Sequence, residues 1–79
     1  MGSTHSYQRL TPHYNVARLS ADMALRGWNQ TDLARASQLS IVTVSNFLRG
    51  HRQTARSMAA IANALGYPIK RYFSHVGVQ

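Results

Sequence analysis

The sequence predicts an all-α domain on three observations: apolar residues recur at helical spacing, capping residues precede these segments, and glycines follow them. The 79 residues, of which 44% are hydrophobic, can bury one modest core but not two. We therefore predict a single helical domain over residues 11–74, with a flexible arm at residues 1–10 and a tail at residues 75–79.

The first predicted helix covers residues 12–26. Thr11 and Pro12 favour this start, because threonine caps free amides and proline suits the first helical position. Gly27 ends the helix. The residues on its predicted inner face are Val16, Leu19, Ser20 and Met23.

A capping-box pattern predicts the second helix over residues 30–36. Asn29 can cap the free amides, and Asp32 can bond back while its charge suits the positive end of a helix. Leu33 and Ala34 then point to the core, where the small alanine permits close approach of two backbones.

The third segment, Ile41–Leu48, carries conflicting signals. Its first four residues are β-branched, which favours a strand. Helical spacing, however, puts Val44, Phe47 and Leu48 on one face, between a serine cap and a glycine stop. We predict a helix that depends on tertiary packing.

The fourth helix has the clearest pattern. It follows the capping Thr54 and ends before Gly66. Its apolar stripe repeats at i, i+3, i+4 and i+7 and consists of Met58, Ile61, Ala62 and Leu65. Pro68 then opens a last short helix that can close the core.

The charge of the chain is one-sided. Nine lysines and arginines oppose two acids, giving a formal net charge of +7, and no acid follows Asp32. Such a surface indicates a polyanionic partner, and charge alone does not choose among DNA, RNA and an anionic lipid surface. The absence of cysteine excludes disulfides and fits a reducing cytosol. No apolar run suits a membrane span or a signal peptide, so we expect neither a membrane location nor export.

An enzyme is the least favoured function. The chemistry would depend on the four histidines of the chain, His5, His13, His51 and His75. No two of them have helical ligand spacing, and no acid in the second half of the chain could orient one. We therefore expect no catalytic residue, metal site, cofactor or small-molecule substrate.

Two short helices joined by a tight turn, with a basic segment after the second, form a helix-turn-helix arrangement. In this arrangement Ile41–Leu48 lies in the DNA major groove. The residues left over by the core are predicted to contact bases: Ile41, Val42, Thr43, Ser45 and Asn46. Asparagine matches adenine, and the aliphatic side chains match thymine methyl groups. Two alternatives stay open: Thr43 or Ser45 serves a phosphate, or one aliphatic residue packs beneath the second helix.

A second group offers donors to phosphates, which position a protein on DNA without reading its sequence. It comprises Asn29, Gln30, Arg49, His51, Arg52 and Arg56. Repulsion among the four basic residues that follow the third helix is unrelieved without a polyanion, because no acid lies near them in the sequence. Arg56 could instead enter the minor groove. The arm, with His5, Tyr7 and Arg9, is a further candidate for DNA contact.

Four stretches resemble the XRE family of Cro and lambda-repressor-like helix-turn-helix domains. They are residues 27–34, 39–45, 50 and 61–66, and the resemblance covers about residues 16–73. It implies a five-helix lambda-repressor-like bundle that binds a palindromic operator in double-stranded DNA as a homodimer. It also implies transcriptional repression or switching in the cytoplasm of a bacterial host, for a phage or a bacterial regulator. In the family, the residue matching Gln30 contacts phosphate.

The dimer and the function each leave alternatives. One recognition helix reads only a few base pairs, so two half-sites about one helical turn apart are the usual solution. The candidates for the dimer interface are Tyr67, Ile69, Tyr72 and Phe73, with simple core closure as the equal alternative. An antitoxin that binds a protein partner as well as its own promoter is the alternative function.

Two departures from the family pattern lead to further expectations. Gln38 stands where the family turn often has glycine, and a left-handed backbone is strained there, so we expect an adjusted turn. Met23 and Leu48 stand where many members have arginine and glutamate. We infer that an apolar contact replaces an ion pair.

Overall fold

A computed structural model describes residues 14–73, and the structural statements below concern this part of the chain. Its helices are α1 (Val16–Arg26), α2 (Gln30–Ser37), α3 (Ile41–Leu48), α4 (Ala55–Leu65) and a 3-10 helix (Ile69–Tyr72). These elements confirm the all-α prediction. The count of five α-helices is not confirmed, because the last element is a single 3-10 turn between two residues with extended backbone, Pro68 and Phe73.

Helix α1 begins later than the sequence predicts. Asn15 caps it, since the side-chain oxygen of Asn15 accepts a 3.0 Å hydrogen bond from the amide of Arg18. Tyr14 pairs with Phe73 in an antiparallel β-bridge, and the amide of Asn15 donates to the carbonyl of Tyr72 at 2.7 Å. This pairing keeps residues 14 and 15 out of the helix. The predicted start at Thr11 and Pro12 lies outside the described residues.

The other three α-helices begin at their predicted caps. Asn29 and Asp32 form a complete capping box, with both hydrogen bonds at 2.9 Å. Ser40 and Thr54 cap α3 and α4 by accepting bonds from amides three residues later. Helix α3 has the predicted bounds, so its packing overrides the strand preference of its β-branched residues.

A single apolar core joins these elements. Its buried members are Leu19, Met23, Leu33, Ala34, Val44, Phe47, Met58, Ile61, Ala62, Leu65 and Tyr72. The predicted stripe of α4 is buried throughout. On α1 the prediction for Ser20 is wrong, because Ser20 is exposed and the buried face is formed by Leu19, Asp22 and Met23.

The turn between α2 and α3 is not adjusted, which corrects the expectation for Gln38. This residue has φ 62° and ψ 32°, the left-handed conformation that suits glycine. The amide of Leu39 donates to the carbonyl of Ala34 at 3.0 Å, and this helix-ending bond requires a left-handed residue before Leu39. Gln38 therefore adopts the glycine geometry and bears its strain.

Asp22, Arg71 and Tyr72, which we call the α1 junction, attach the 3-10 helix to α1. The carboxylate of Asp22 accepts two bonds from the guanidinium of Arg71, at 2.8 and 2.9 Å, and a 2.5 Å bond from the hydroxyl of Tyr72. The Arg71 bonds hold the pKa of Asp22 below its ordinary value of 3.8, although burial opposes the shift. Burial, aided by the bond to Asp22, raises the pKa of Tyr72. The buried acid is therefore fully compensated.

Candidate nucleic-acid interface

Helix α3 is fixed in place by its inner face. Val44 and Phe47 are fully buried, and Leu48 is half-buried against the core. Helix α2 packs against both α3 and α4, with the small Ala34 buried on it. Core packing thus holds the two helices of the motif together, and Ala34 is buried as the sequence predicts.

The outer face of α3 is defined here by Ile41, Val42, Thr43, Ser45 and Asn46. Ile41 is 43% exposed and Val42 is 63% exposed. The other three residues are half-buried. Neither aliphatic side chain enters the core, so two branched apolar residues face water on the first turn of the helix.

The hydroxyl of Thr43 is already engaged at the start of α3. Ser40 Oγ accepts from the amide of Thr43 at 3.0 Å and donates to Thr43 Oγ1 at 2.9 Å. The proton of the Thr43 hydroxyl is then directed away from Ser40. Thr43 can therefore donate one bond to a base or to a phosphate oxygen.

The predicted phosphate donors on α2 lie at its exposed N-terminus. Gln30 and Asn29 are both exposed. The side-chain oxygen of Asn29 is bonded to the amide of Asp32, so its free group is the NH2, which is a donor. Both side chains can thus offer donors at the positive end of the helix, where a phosphate is favoured.

The basic loop, which we define as residues 49–53, follows α3 and contains most of the basic residues that are predicted to contact phosphates. Arg49, His51 and Arg52 are exposed, as is Arg56 in the first turn of α4. Within residues 14–73, none of these side chains has an acidic partner, since the one ion pair there joins Arg71 to Asp22. The structure therefore leaves the positive charges of the three arginines free to meet an anion.

The backbone of the basic loop is tightly bonded. The amides of Gly50 and His51 return to the carbonyls of Phe47 and Asn46 at 3.0 and 2.8 Å. Gly50 has φ 84° and Arg52 has φ 51°, so the loop contains two left-handed residues. Only the first is a glycine, and the second bears the steric cost that other residues meet there.

Gln53 closes the loop and was not predicted from the sequence. Its side chain is 6% exposed. It donates to the carbonyl of Phe47 at 2.9 Å and accepts from the amide of Tyr14 at 3.1 Å. A glutamine in a basic polar segment gives no signal of burial, because its partner Tyr14 is 39 positions away.

The candidate dimer residues divide by exposure. Tyr72 is fully buried and bonded to Asp22, which favours core closure for this residue. Tyr67 and Ile69 are half-buried against the core. Phe73 is 46% exposed, and its ring lies 6.2 Å from that of Tyr14. Among the four, Phe73 therefore has the most surface to offer a partner.

A short helix held by a preceding helix, with exposed residues on the first turn of its outer face and exposed arginines beside it, defines a DNA-binding helix-turn-helix domain. The helix-turn-helix family model matches residues 19–71. The chain therefore belongs to this family, which confirms the resemblance to XRE-type domains. Comparison with curated proteins and with solved structures found no significant match. Within residues 14–73, no helix has the length and apolar character needed to cross a membrane.

Proposed function

We propose that this DNA-binding domain is a sequence-specific transcriptional regulator of the Cro or repressor type, which reads operator DNA with the outer face of α3. The observation that carries the proposal is the exposure of Ile41 and Val42 on a helix whose opposite face is fixed in the core. Exposure of two branched aliphatic side chains to water does not stabilise the fold. Contact with thymine methyl groups in a major groove would bury their apolar surface, which favours binding.

The other residues of the interface divide between reading and positioning. Asn46 reads adenine, because its amide can donate and accept together, and Ser45 and Thr43 add hydroxyl contacts to a base or phosphate. The exposed donors on α2 and the basic residues after α3 bind the phosphates, and these contacts do not distinguish one DNA sequence from another. These residues are Asn29, Gln30, Arg49, His51, Arg52 and Arg56.

The regulator binds a palindromic operator as a homodimer in the cytoplasm of its bacterial host. Helix α3 has eight residues and reaches only a few base pairs, so a second copy on a half-site about one helical turn away, roughly 34 Å, supplies the remaining specificity. Phe73 is the most exposed candidate for the interface between the two copies, with Tyr67 and Ile69 beside it in the sequence.

Selection of bound sites from random DNA tests the proposal. The expected result is a symmetric motif whose half-sites contain thymines, read by Ile41 and Val42, and an adenine, read by Asn46. An asymmetric motif would contradict the homodimer. A bound pool with no enrichment at all would contradict sequence-specific regulation.

Two substitutions distinguish the recognition of bases from the binding of phosphates. Asn46→Ala should relax the preference at one base position and weaken the selected operator by roughly 5-fold to 100-fold, as the loss of a bidentate base contact does. Arg52→Ala should weaken all sequences alike and reduce the salt dependence by about one phosphate contact. Arg35→Ala, which removes another exposed cation, from the last turn of α2, is the matched control for net charge. Titrations at several salt concentrations decide between these outcomes.

A further inference from the structure

Gln53 is buried and bonds to the backbone of two segments, one six and one 39 positions away in the sequence. Its Nε2 donates to Phe47, at the end of α3, and its Oε1 accepts from Tyr14, which precedes α1. The side chain is 6% exposed. Any influence of Gln53 on a bound anion must therefore pass through the residues that it holds.

Two residues of the basic loop donate hydrogen bonds to the same carbonyl oxygen, that of Phe47. The oxygen of Phe47 accepts from the amide of Gly50 at 3.0 Å and from the side chain of Gln53 at 2.9 Å. A carbonyl has two lone pairs and can accept both bonds. Gln53 thus closes a small hydrogen-bonded ring, in which His51 and Arg52 lie between the two residues that donate to Phe47.

The other bond of Gln53 anchors this ring to the rest of the fold. Tyr14 is paired with Phe73, and its ring stacks on that of Phe47 at 5.7 Å. Tyr14, which donates its amide hydrogen bond to Gln53, is therefore held in place by contacts with both Phe73 and Phe47. As a result, the loop is fixed to the molecule at α3 and also at the bridge between Tyr14 and Phe73.

Arg52 shows that the ring constrains its backbone. Its φ of 51° is a conformation that arginine seldom adopts, and such strain persists only where the surrounding structure imposes it. The side chain of Arg52 is exposed, so no packing of its own explains the conformation. The next residue, Gln53, is held by two hydrogen bonds, and this closure is the constraint that we infer for Arg52.

We propose that Gln53 is a positioning residue that pre-organises the basic loop to receive phosphates, an inference that rests on the proposed binding of DNA. A loop that is already in its bound shape loses less conformational entropy when Arg49, His51 and Arg52 meet the DNA backbone. Gln53 contributes to affinity in this way without touching the nucleic acid.

Gln53→Met tests the proposal, because methionine keeps the length of the side chain and removes both hydrogen bonds. Binding is measured on the selected operator and on a duplex of random sequence, at several salt concentrations. We expect both affinities to fall by about tenfold, because the loop residues meet the sequence-independent backbone, and we expect the salt dependence to stay unchanged, because the same phosphate contacts form once the loop is ordered. Ile61→Val, a mild truncation in the core of α4, is the control for a purely structural loss and should bind as the wild type does.

A double-mutant cycle with Arg52→Ala separates positioning from general damage. If Gln53 acts through the loop cations, Gln53→Met should cost less than threefold once Arg52 is absent. Fully additive losses, or an unchanged affinity of the single variant, would overturn the proposal. Should the single variant fail to fold, the cycle is carried out in a Gln38→Gly background, which removes backbone strain elsewhere. The random duplex keeps the test valid even if selection yields no operator.

Discussion

The α1 junction and the basic loop use charge in opposite ways. In the α1 junction, Arg71 is bonded twice to the buried Asp22. Nearby, Arg26 bonds to the carbonyl of Leu65 and lies over the ring of Tyr67. The cations of the basic loop are exposed and have no acidic partner within residues 14–73. The first set of charges holds the fold together, and the second set remains available.

The backbone shows the same division. The two non-glycine residues with positive φ in residues 14–73 are Gln38 and Arg52, and they stand just before and just after α3. The two ends of α3 are therefore flanked by backbone strain, whereas both residues with a side chain on the carboxylate of the α1 junction bond to it at short distances. This contrast implies that stability and DNA binding can be altered separately, and the following predictions test it.

The largest expected effect comes from placing a charge in the core. Met23 is 6% exposed, so Met23→Arg buries a cation without a partner and should destabilise the fold by about 4 kcal/mol or more. For a domain of this size that loss approaches the whole free energy of unfolding. Thermal melting of the purified variant measures it, and an unchanged melting temperature would show that the position tolerates charge.

A second substitution tests whether the side chains at positions 23 and 48 are in contact. We infer from the family pattern that Met23 and Leu48 occupy the positions of an ion pair. Met23→Arg combined with Leu48→Glu should then recover a large part of the lost stability, because the buried charge regains a partner. If the double variant is no more stable than Met23→Arg alone, the two side chains do not meet.

Removing the cation of the α1 junction should have the next largest effect. Arg71→Met leaves the buried carboxylate of Asp22 with Tyr72 as its one remaining hydrogen-bond partner in residues 14–73, and should lower the stability of the fold. Lys70→Met is the matched control, since Lys70 is an exposed cation on the same 3-10 helix. Chemical denaturation of both variants supplies the comparison. Equal losses in the two variants would show that the pair with Asp22 contributes nothing specific.

Acid should weaken the α1 junction in a way that one substitution abolishes. The pKa of Asp22 is lowered from 3.8 by its bonds to Arg71. This contribution to stability is therefore present above about pH 4 and is lost as the pH falls through the lower pKa of the folded state. The melting temperature of the wild type should decline in that acidic range, and that of Asp22→Asn should decline less steeply. Parallel declines would contradict the role of Asp22.

Local sequence signals predicted most of the fold, because they act over a few residues. The capping box at Asn29 and the stripe of α4 needed no distant partner, and both were confirmed. The bounds of α3 were also predicted, although its β-branched start favours a strand, because caps and periodicity agreed. The start of α1 was wrong, since it depends on the pairing of Tyr14 with Phe73 at the other end of the described chain.

The polar contacts of the interior could not be predicted from patterns of this kind. Asp22 lies among apolar residues of α1, and nothing near it in the sequence indicates Arg71, which is 49 positions away. The same holds for Gln53 and Tyr14. The outer face of α3 was accessible to prediction because it is what remains once the core has claimed its residues. Its contacts with DNA stay a prediction.

The smallest expected effect is a gain in stability at the turn before α3. Gln38 is exposed and left-handed, so Gln38→Gly should relieve its strain and stabilise the fold by about 0.5–1 kcal/mol. Ala36→Gly, two residues earlier and within α2, should instead destabilise by about 1 kcal/mol, because glycine is a poor residue inside a helix. Denaturant unfolding resolves both signs. The gain at Gln38 should leave DNA affinity unchanged, because this residue holds the turn and belongs to neither group of contacts. A loss of affinity on Gln38→Gly would mean that the strained turn also aims α3.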